Sequence, residues 1–189
     1  MSVWVLVAMP GLPARGETPP TRDDIVSRLS QFDTAPELDI AALKQQVLER
    51  SRSRAKNEPP PEKRPPIAPD LLDLPTFSVA ITFDTDTPVV RPESYQTVGR
   101  IADALVNASL LPYNFLIVGH IEATGKRESN VMLSQRRADA IRDALVNTFK
   151  ISTKRIQTIG LGEEQLIDRA HPLAPVNGQI QIVTVGKIN

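Results

Sequence analysis

The stretch Phe115-Leu116-Ile117-Val118-Gly119-His120-Ile121-Glu122-Ala123-Thr124-Gly125, with Asn130 and Leu133-Ser134-Gln135-Arg136-Arg137-Ala138 behind it, decides how the rest of this chain is read. An apolar run leads into Gly119, a short polar loop is punctuated by Gly125, and apolar residues recur at helical spacing from about Asn130. That is a strand, a loop and a helix in succession. A loop held between two rigid elements is where binding residues usually sit.

The elements on either side extend the same alternation. Upstream, Phe77, Val79, Ile81 and Phe83 alternate with Ser78, Ala80 and Thr82, which predicts a strand with one buried face. Pro92 suits the first turn of a helix that continues through Val98, Ile101, Ala102 and Leu105 and ends near Leu110 and Pro112. Gly99 inside that helix is assigned to close approach to the sheet. Downstream, Ser134, Ala138, Ile141, Leu145 and Phe149 form one stripe of a long helix, and Arg155 to Leu161 and Gln179 to Val185 read as two further strands. Between those strands, Gly162 to Asn177 reads as a polar connection with room for a short helix. The expected fold class is α+β, a β-α-β-α-β mixed sheet with parallel neighbours wherever a helix makes the crossover.

The central stretch resembles the OmpA-like peptidoglycan-binding domain, named after the C-terminal half of outer-membrane protein A. That family carries Gly-His-Thr-Asp-x-x-Gly, an Asn, and Leu-Ser-x-x-Arg-Ala. Here the matching residues are Gly119-His120-Ile121-Glu122-x-x-Gly125, Asn130 and Leu133-Ser134-x-x-Arg137-Ala138, with no gap. The resemblance implies a mixed sheet with helices packed on one face over residues 72–189. It also implies that Glu122 and Arg137 hold the amino and carboxylate ends of the diaminopimelate residue in the peptidoglycan stem peptide. The implied partner is peptidoglycan, with other envelope proteins as further partners, and the implied place is the periplasm, associated with the cell wall or outer membrane. Two departures stand in the loop, Glu122 for Asp and Ile121 for Thr. A third lies before the last strand, where the family's Asn-Arg-Arg becomes Asn177-Gly178-Gln179. The alternative reading is therefore a degenerate OmpA-like domain that acts as a protein-interaction module without binding peptidoglycan.

The residue chemistry suits that role. A planar guanidinium such as that of Arg137 grips a carboxylate through two parallel hydrogen bonds. Glu122 would supply the anion for an ammonium group; Thr124, Asn130 and the backbone amides around Gly125 would add neutral hydrogen bonds. Asn130 is also suited to be the N-cap of the helix. His120 is read as a structural histidine that hydrogen-bonds across the loop. His120-Ile121-Glu122 matches half of a zinc deaminase signature, but the other half needs two Cys and the chain has none. With two His and no Cys, no metal site or cofactor is expected, and no Gly-x-Ser-x-Gly or phosphate-binding Gly loop is present. The expectation is a non-catalytic protein.

Composition bounds the remainder. Lys plus Arg and Asp plus Glu both total 22, so charge points neither to nucleic acid nor to an anionic membrane surface. The apolar start, Met1 to Met9, is too short to span a bilayer. Residues 1–16 read either as a remnant secretory signal or as an apolar terminus or short buried strand, and the resemblance favours the signal. Twelve of the 17 Pro lie at or before Pro75, so residues 17–57 are expected to be partly helical or disordered. Within them Thr21 and Asp24 suggest a capping box, and a second helix is expected from about Pro36 to Ala55 with a solvated basic end at Arg50, Arg52, Arg54 and Lys56. Residues 58–71, rich in Pro, are read as an extended polyproline II linker rather than an SH3 ligand, with a reach of about 30 Å.

Overall fold

The computed structural model describes residues 20–32, 38–53 and 58–188. The segment read as a signal, residues 1–16, lies outside them. Two helices come first, α1 (Arg22–Leu29) and α2 (Ile40–Arg52). The sheet unit follows as β1 (Thr76–Val79), α3 (Tyr95–Leu105), β2 (Tyr113–His120), α4 (Arg127–Asp143), β3 (Ile156–Gly162) and β4 (Ile180–Lys187). The sheet order is β1-β4-β2-β3. β2 and β3, joined through α4, are parallel, and β4 is antiparallel to both β1 and β2. This is the expected mixed α+β sheet.

β2 is central and buried on both faces, which explains its unbroken apolar run. Phe115 and Ile117 face a core with α1, α3 and α4, including Leu29, Ile101, Ile141 and Leu145. Leu116 and Val118 face a second core with Val47 of α2, Leu71, Ile159, Leu161 and Val183. The crossover helices and α1 thus lie on one face of the sheet, and α2 with the Pro-rich segment covers the other. β1 stops short of the expected Phe83 because its pairing partner begins at Ile180, opposite Val79. Ile81 and Phe83 remain buried beyond it, with Phe83 bridging Val90.

α4 sits unusually close to β2 and β3 because three strand positions lack a Cβ. A Cβ on Gly119 would stand 2.2 Å from the Ser134 carbonyl oxygen, one on Gly160 2.2 Å from the Gln135 nitrogen, and one on Gly162 2.7 Å from the Val131 nitrogen. Ser134 completes the seam by accepting from the Gly162 amide at 2.9 Å and donating to the Val131 carbonyl at 3.0 Å. Gly99 is not part of this approach; a Cβ there would merely touch the Phe149 ring at 3.8 Å. Phe149 itself leaves the buried stripe and is 39 % exposed, since the helix widens into a π turn over Ala144–Thr148 and changes register.

The N-terminal region departs most from expectation. α1 begins with the capping box read from the sequence: Asp24 N–H donates to Thr21 Oγ1 at 3.2 Å, and Thr21 N–H to Asp24 Oδ2 at 3.0 Å. Ile25 and Leu29 then bury completely. The Pro-rich segment is not an extended, solvated spacer. It turns twice in short 3-10 helices at Pro61–Lys63 and Pro69–Leu71 and buries Ala68 and Leu71 against the sheet. Gln165 accepts from the Ala68 amide at 2.8 Å and donates to its carbonyl at 3.3 Å, which fastens the segment to the connection after β3. Nor is the basic end of α2 merely solvated. Arg52 pairs with Glu128 at 2.7 Å, and Arg50 reaches the fully buried carboxylate of Glu164 at 3.1 Å. Arg127 grips the same carboxylate with two bonds, 2.7 and 2.8 Å, and also pairs with Glu58. Arg64 reaches Glu163, equally buried, at 3.3 Å. Arg50, Arg64 and Arg127 with Glu58, Glu163 and Glu164 thereby clamp the end of α2 and residues 58–64 to α4 and to the start of the β3–β4 connection.

Candidate functional site

Three loops meet where β2 ends. The β1–α3 loop passes Asp84 to Thr87, with Asp86 at a positive φ of 56°. The β2–α4 loop carries Ile121 to Lys126 and turns at Gly125, whose φ of 81° is open to glycine far more readily than to other residues. The β3–β4 connection supplies Pro172 to Gln179. Backbone bonds link the end of β2 and its loop to the β3–β4 connection: the Ala123 amide donates to the Pro172 carbonyl at 3.0 Å, and the His120 amide to the Gln179 carbonyl at 3.2 Å.

Of the six residues singled out in the sequence, two project functional groups that the protein leaves open. Arg137, on α4, donates from Nε to the Thr87 carbonyl at 3.1 Å and stacks its guanidinium 4.7 Å over the Phe83 ring. Among the described residues its two Nη atoms have no hydrogen-bond acceptor, and no carboxylate lies within 4.0 Å of them. Burial lowers its pKa, while the charges of Glu122 and Asp86 work the other way. Glu122 is half-buried, and its carboxylate accepts no hydrogen bond among the described residues. The side chain occupies the space above Gly178, where a Cβ would stand 2.6 Å from Oε1. Among the described residues no buried side-chain nitrogen or oxygen lacks a partner, so these unpaired atoms face solvent.

The other four act behind the loop. Asn130 is not the N-cap: α4 starts at Arg127, which places Asn130 inside the first turn with its amide bonded to the Lys126 carbonyl at 2.8 Å. Its buried side chain donates to Glu163 Oε2 at 2.7 Å and to Thr124 Oγ1 at 3.0 Å, so it braces the loop. The Gly125 amide is likewise committed, donating to Glu163 Oε2 at 3.0 Å, and is not free for a ligand. Thr124 remains exposed at the loop surface. His120 is 2 % exposed, with Nδ1 3.0 Å from the Gln165 carbonyl and Nε2 2.8 Å from Gln181 Oε1. Burial pushes its imidazole below the ordinary value and outweighs both hydrogen bonds. A neutral ring satisfies both neighbours once the Gln181 amide turns its NH2 toward Nε2. It is a structural histidine that ties β2 to the β3–β4 connection.

Glu163 is the residue that sequence reasoning missed. In the chain it is half of an acidic doublet in a polar connection, a pattern that ordinarily marks a solvated loop. Its side chain is completely buried, and it joins Asn130, Gly125 and Arg64. A cavity of about 760 Å³ opens elsewhere, between α1, β1 and the start of α3; neither Glu122 nor Arg137 borders it. Among the described residues no helix is long and apolar enough to cross a membrane.

Known proteins share this arrangement. A sequence model of the OmpA family matches residues 82–176. The peptidoglycan-associated lipoprotein of Brucella melitensis is 38% identical over 85 residues, 45% of this chain and 49% of that protein. Outer membrane porin F of Pseudomonas aeruginosa is 29% identical over 97 residues, 51% of this chain and 27% of the porin. The chain thus matches about half or less of these relatives' length. The periplasmic domain of Helicobacter pylori MotB shares the fold, with a TM-score of 0.50 at 12% identity, covering 60% of this chain and 77% of that domain. These relatives are proteins of the bacterial envelope, in keeping with the location expected from the sequence. With half of its residues under the family model and the Gly119-His120, Asn130 and Leu133-Ser134 positions all in their expected places around β2 and α4, the chain belongs to the OmpA family.

Proposed function

We propose that this domain binds the stem peptide of peptidoglycan at its diaminopimelate residue, without catalysis, and so anchors an envelope protein to the cell wall. The observation that carries the reading is a carboxylate and a guanidinium beside one loop that neutralise neither each other nor any neighbour. The two are close enough for Glu122 to influence the charge of Arg137, yet among the described residues no carboxylate oxygen lies within 4.0 Å of the guanidinium nitrogens. Such a pair fits a ligand that offers an ammonium and a carboxylate on one carbon. Glu122 takes the ammonium, and the two Nη atoms of Arg137 take the carboxylate through parallel hydrogen bonds. Thr124 lies at the rim, while Asn130, Gly125 and His120 hold the loop that presents Glu122. The binding unit is residues 72–189, and the described residues before it, 20–32, 38–53 and 58–71, form an extension docked on it. The relative named as peptidoglycan-associated supports the same reading.

One observation favours the alternative of a protein-interaction module. Gly178 and Gln179 bring no positive charge to the site, and Glu122 occupies the space that a side chain at 178 would fill. Pull-down with purified sacculi decides between the two. Wild type should sediment with diaminopimelate-type sacculi and less with lysine-type sacculi. Arg137→Ala should lose about 2 to 5 kcal/mol of binding, less where water reaches the pair, while circular dichroism stays unchanged. Equal sedimentation of wild type and Arg137→Ala would replace the peptidoglycan reading with the interaction module.

A further inference from the structure

We propose that the docked N-terminal segment is a positioning element for the binding loop and that Arg64 is the residue through which it acts. Arg64 comes from the Pro-rich stretch, far from the OmpA motif in sequence. Its guanidinium donates from Nε to the Pro59 carbonyl at 3.1 Å and lies 3.3 Å from Glu163 Oε1. The other oxygen of the same carboxylate receives the Gly125 amide at 3.0 Å and the Asn130 side chain at 2.7 Å. Asn130 in turn holds Thr124 at 3.0 Å and the Glu122 carbonyl at 3.4 Å. One carboxylate therefore joins a cation of the N-terminal segment to the loop that presents Glu122.

The physical reason lies in the burial of Glu163. Its side chain has no exposure, and among the described residues Arg64 is the cation within 4.0 Å of it. Two neutral donors do not compensate a carboxylate removed from water. Without Arg64 the buried carboxylate would lack its cation and turn toward solvent, which weakens its hold on Gly125 and Asn130. The neighbouring Glu164 makes a natural control. It is equally buried and equally tied to the N-terminal segment, through Arg50 and Arg127, yet it bonds to nothing in the loop from Glu122 to Gly125. Of the two arms of the clamp, one reaches the site and the other only fastens the segment.

The affinity arm of the test rests on the proposed ligand; the loop arm does not. Amide exchange of Gly125 would be followed by NMR, with free diaminopimelate as the titrated probe. Arg64→Met should speed Gly125 exchange by about tenfold and weaken diaminopimelate binding by a similar factor. Arg64→Lys, which keeps the charge but not the fork, should fall between Met and wild type. Arg50→Met should lower the melting temperature while leaving Gly125 exchange and diaminopimelate affinity within about twofold of wild type. Unchanged exchange in folded Arg64→Met would overturn the proposal, as would an equal change in Arg50→Met, which would show that the clamp acts through global stability. Should Arg64→Met not fold, Arg64→Lys decides, and a wild-type exchange rate there sinks the idea. If wild type fails to bind diaminopimelate, the functional reading falls, while the exchange rates still decide the role of Arg64.

Discussion

Two constellations of charge flank the loop after β2, and they are built in opposite ways. In the clamp, Arg50, Arg64 and Arg127 meet Glu58, Glu163 and Glu164, equal numbers of each sign, with the Glu163 and Glu164 side chains fully buried. In the site, Glu122 and Arg137 stay apart, and each keeps polar atoms open to water. A closed cluster has its electrostatics satisfied by the fold and serves the fold. An open pair contributes little to stability and leaves its charge for something else. The difference separates structural from binding residues in a chain where both kinds are Arg and Glu.

The largest expected effect comes from opening the closed cluster. Glu164→Gln leaves Arg50 and Arg127, with side chains 21% and 11% exposed, facing a neutral amide. Removing one partner of a buried pair is costly because the other charge stays behind, so the loss in urea denaturation should be about 3 kcal/mol. The same variant should become open to protease between residues 58 and 71, a segment that wild type should protect because Ala68 and Leu71 are buried. A loss below about 1 kcal/mol would mean that the cluster is solvated and that the contrast with the Glu122–Arg137 pair is false.

What the chain disclosed in advance follows the same division. β2 and α4, with Glu122 on the loop between them and Arg137 on the helix, were legible because local periodicity and motif spacing lie within a short stretch. The clamp was not, because Arg64 and Glu163 are 99 residues apart and no local pattern links them. Pro-rich composition pointed to an extended linker, yet tertiary contacts through Ala68, Leu71 and Gln165 outweighed it. Asn130 was open to two readings because an N-cap and a hydrogen bond to the ligand both call for a short polar amide; the start of α4 at Arg127 excludes the cap, and the side chain is spent on Glu163 and Thr124. Gly119 carries the motif for a reason of packing rather than of ligand chemistry. It lets the Ser134 backbone approach β2, which no single-residue property reveals.

His120 offers an intermediate effect and a third kind of group, a buried base held neutral. Its folded-state pKa lies below the ordinary value of about 6.5. As pH falls below that value the unfolded chain takes a proton that the folded chain resists. The stability present above pH ~6.5 is therefore lost progressively down to the folded-state pKa. Urea midpoints should fall in that window with a slope approaching about 1.4 kcal/mol per pH unit, and His120→Gln should lack this component. Parallel pH profiles for the two proteins would show that the ring is not withheld from protonation, and its assignment as a neutral tie between β2 and the β3–β4 connection would fail.

The smallest effect on stability should come from Gly178→Ala, and that smallness is informative. The added Cβ would stand 2.6 Å from Glu122 Oε1 and 2.9 Å from Cδ, so something must move. The obstacle is the end of a flexible side chain that no hydrogen bond holds, rather than backbone. The carboxylate should swing aside at a cost of about 0.5 kcal/mol or less in folding. At Gly160 the same substitution would strike the Gln135 backbone at 2.2 Å and should cost about 1 to 3 kcal/mol or more. Binding should respond in the reverse order of sensitivity. Displacing Glu122 by about one bond length separates it from the ammonium it is proposed to hold, and sacculus binding should weaken several-fold although the melting temperature is unchanged. If Gly178→Ala instead lowers the melting temperature as far as Gly160→Ala does, Glu122 is fixed by the fold, and the open pair is no more open than the clamp beside it.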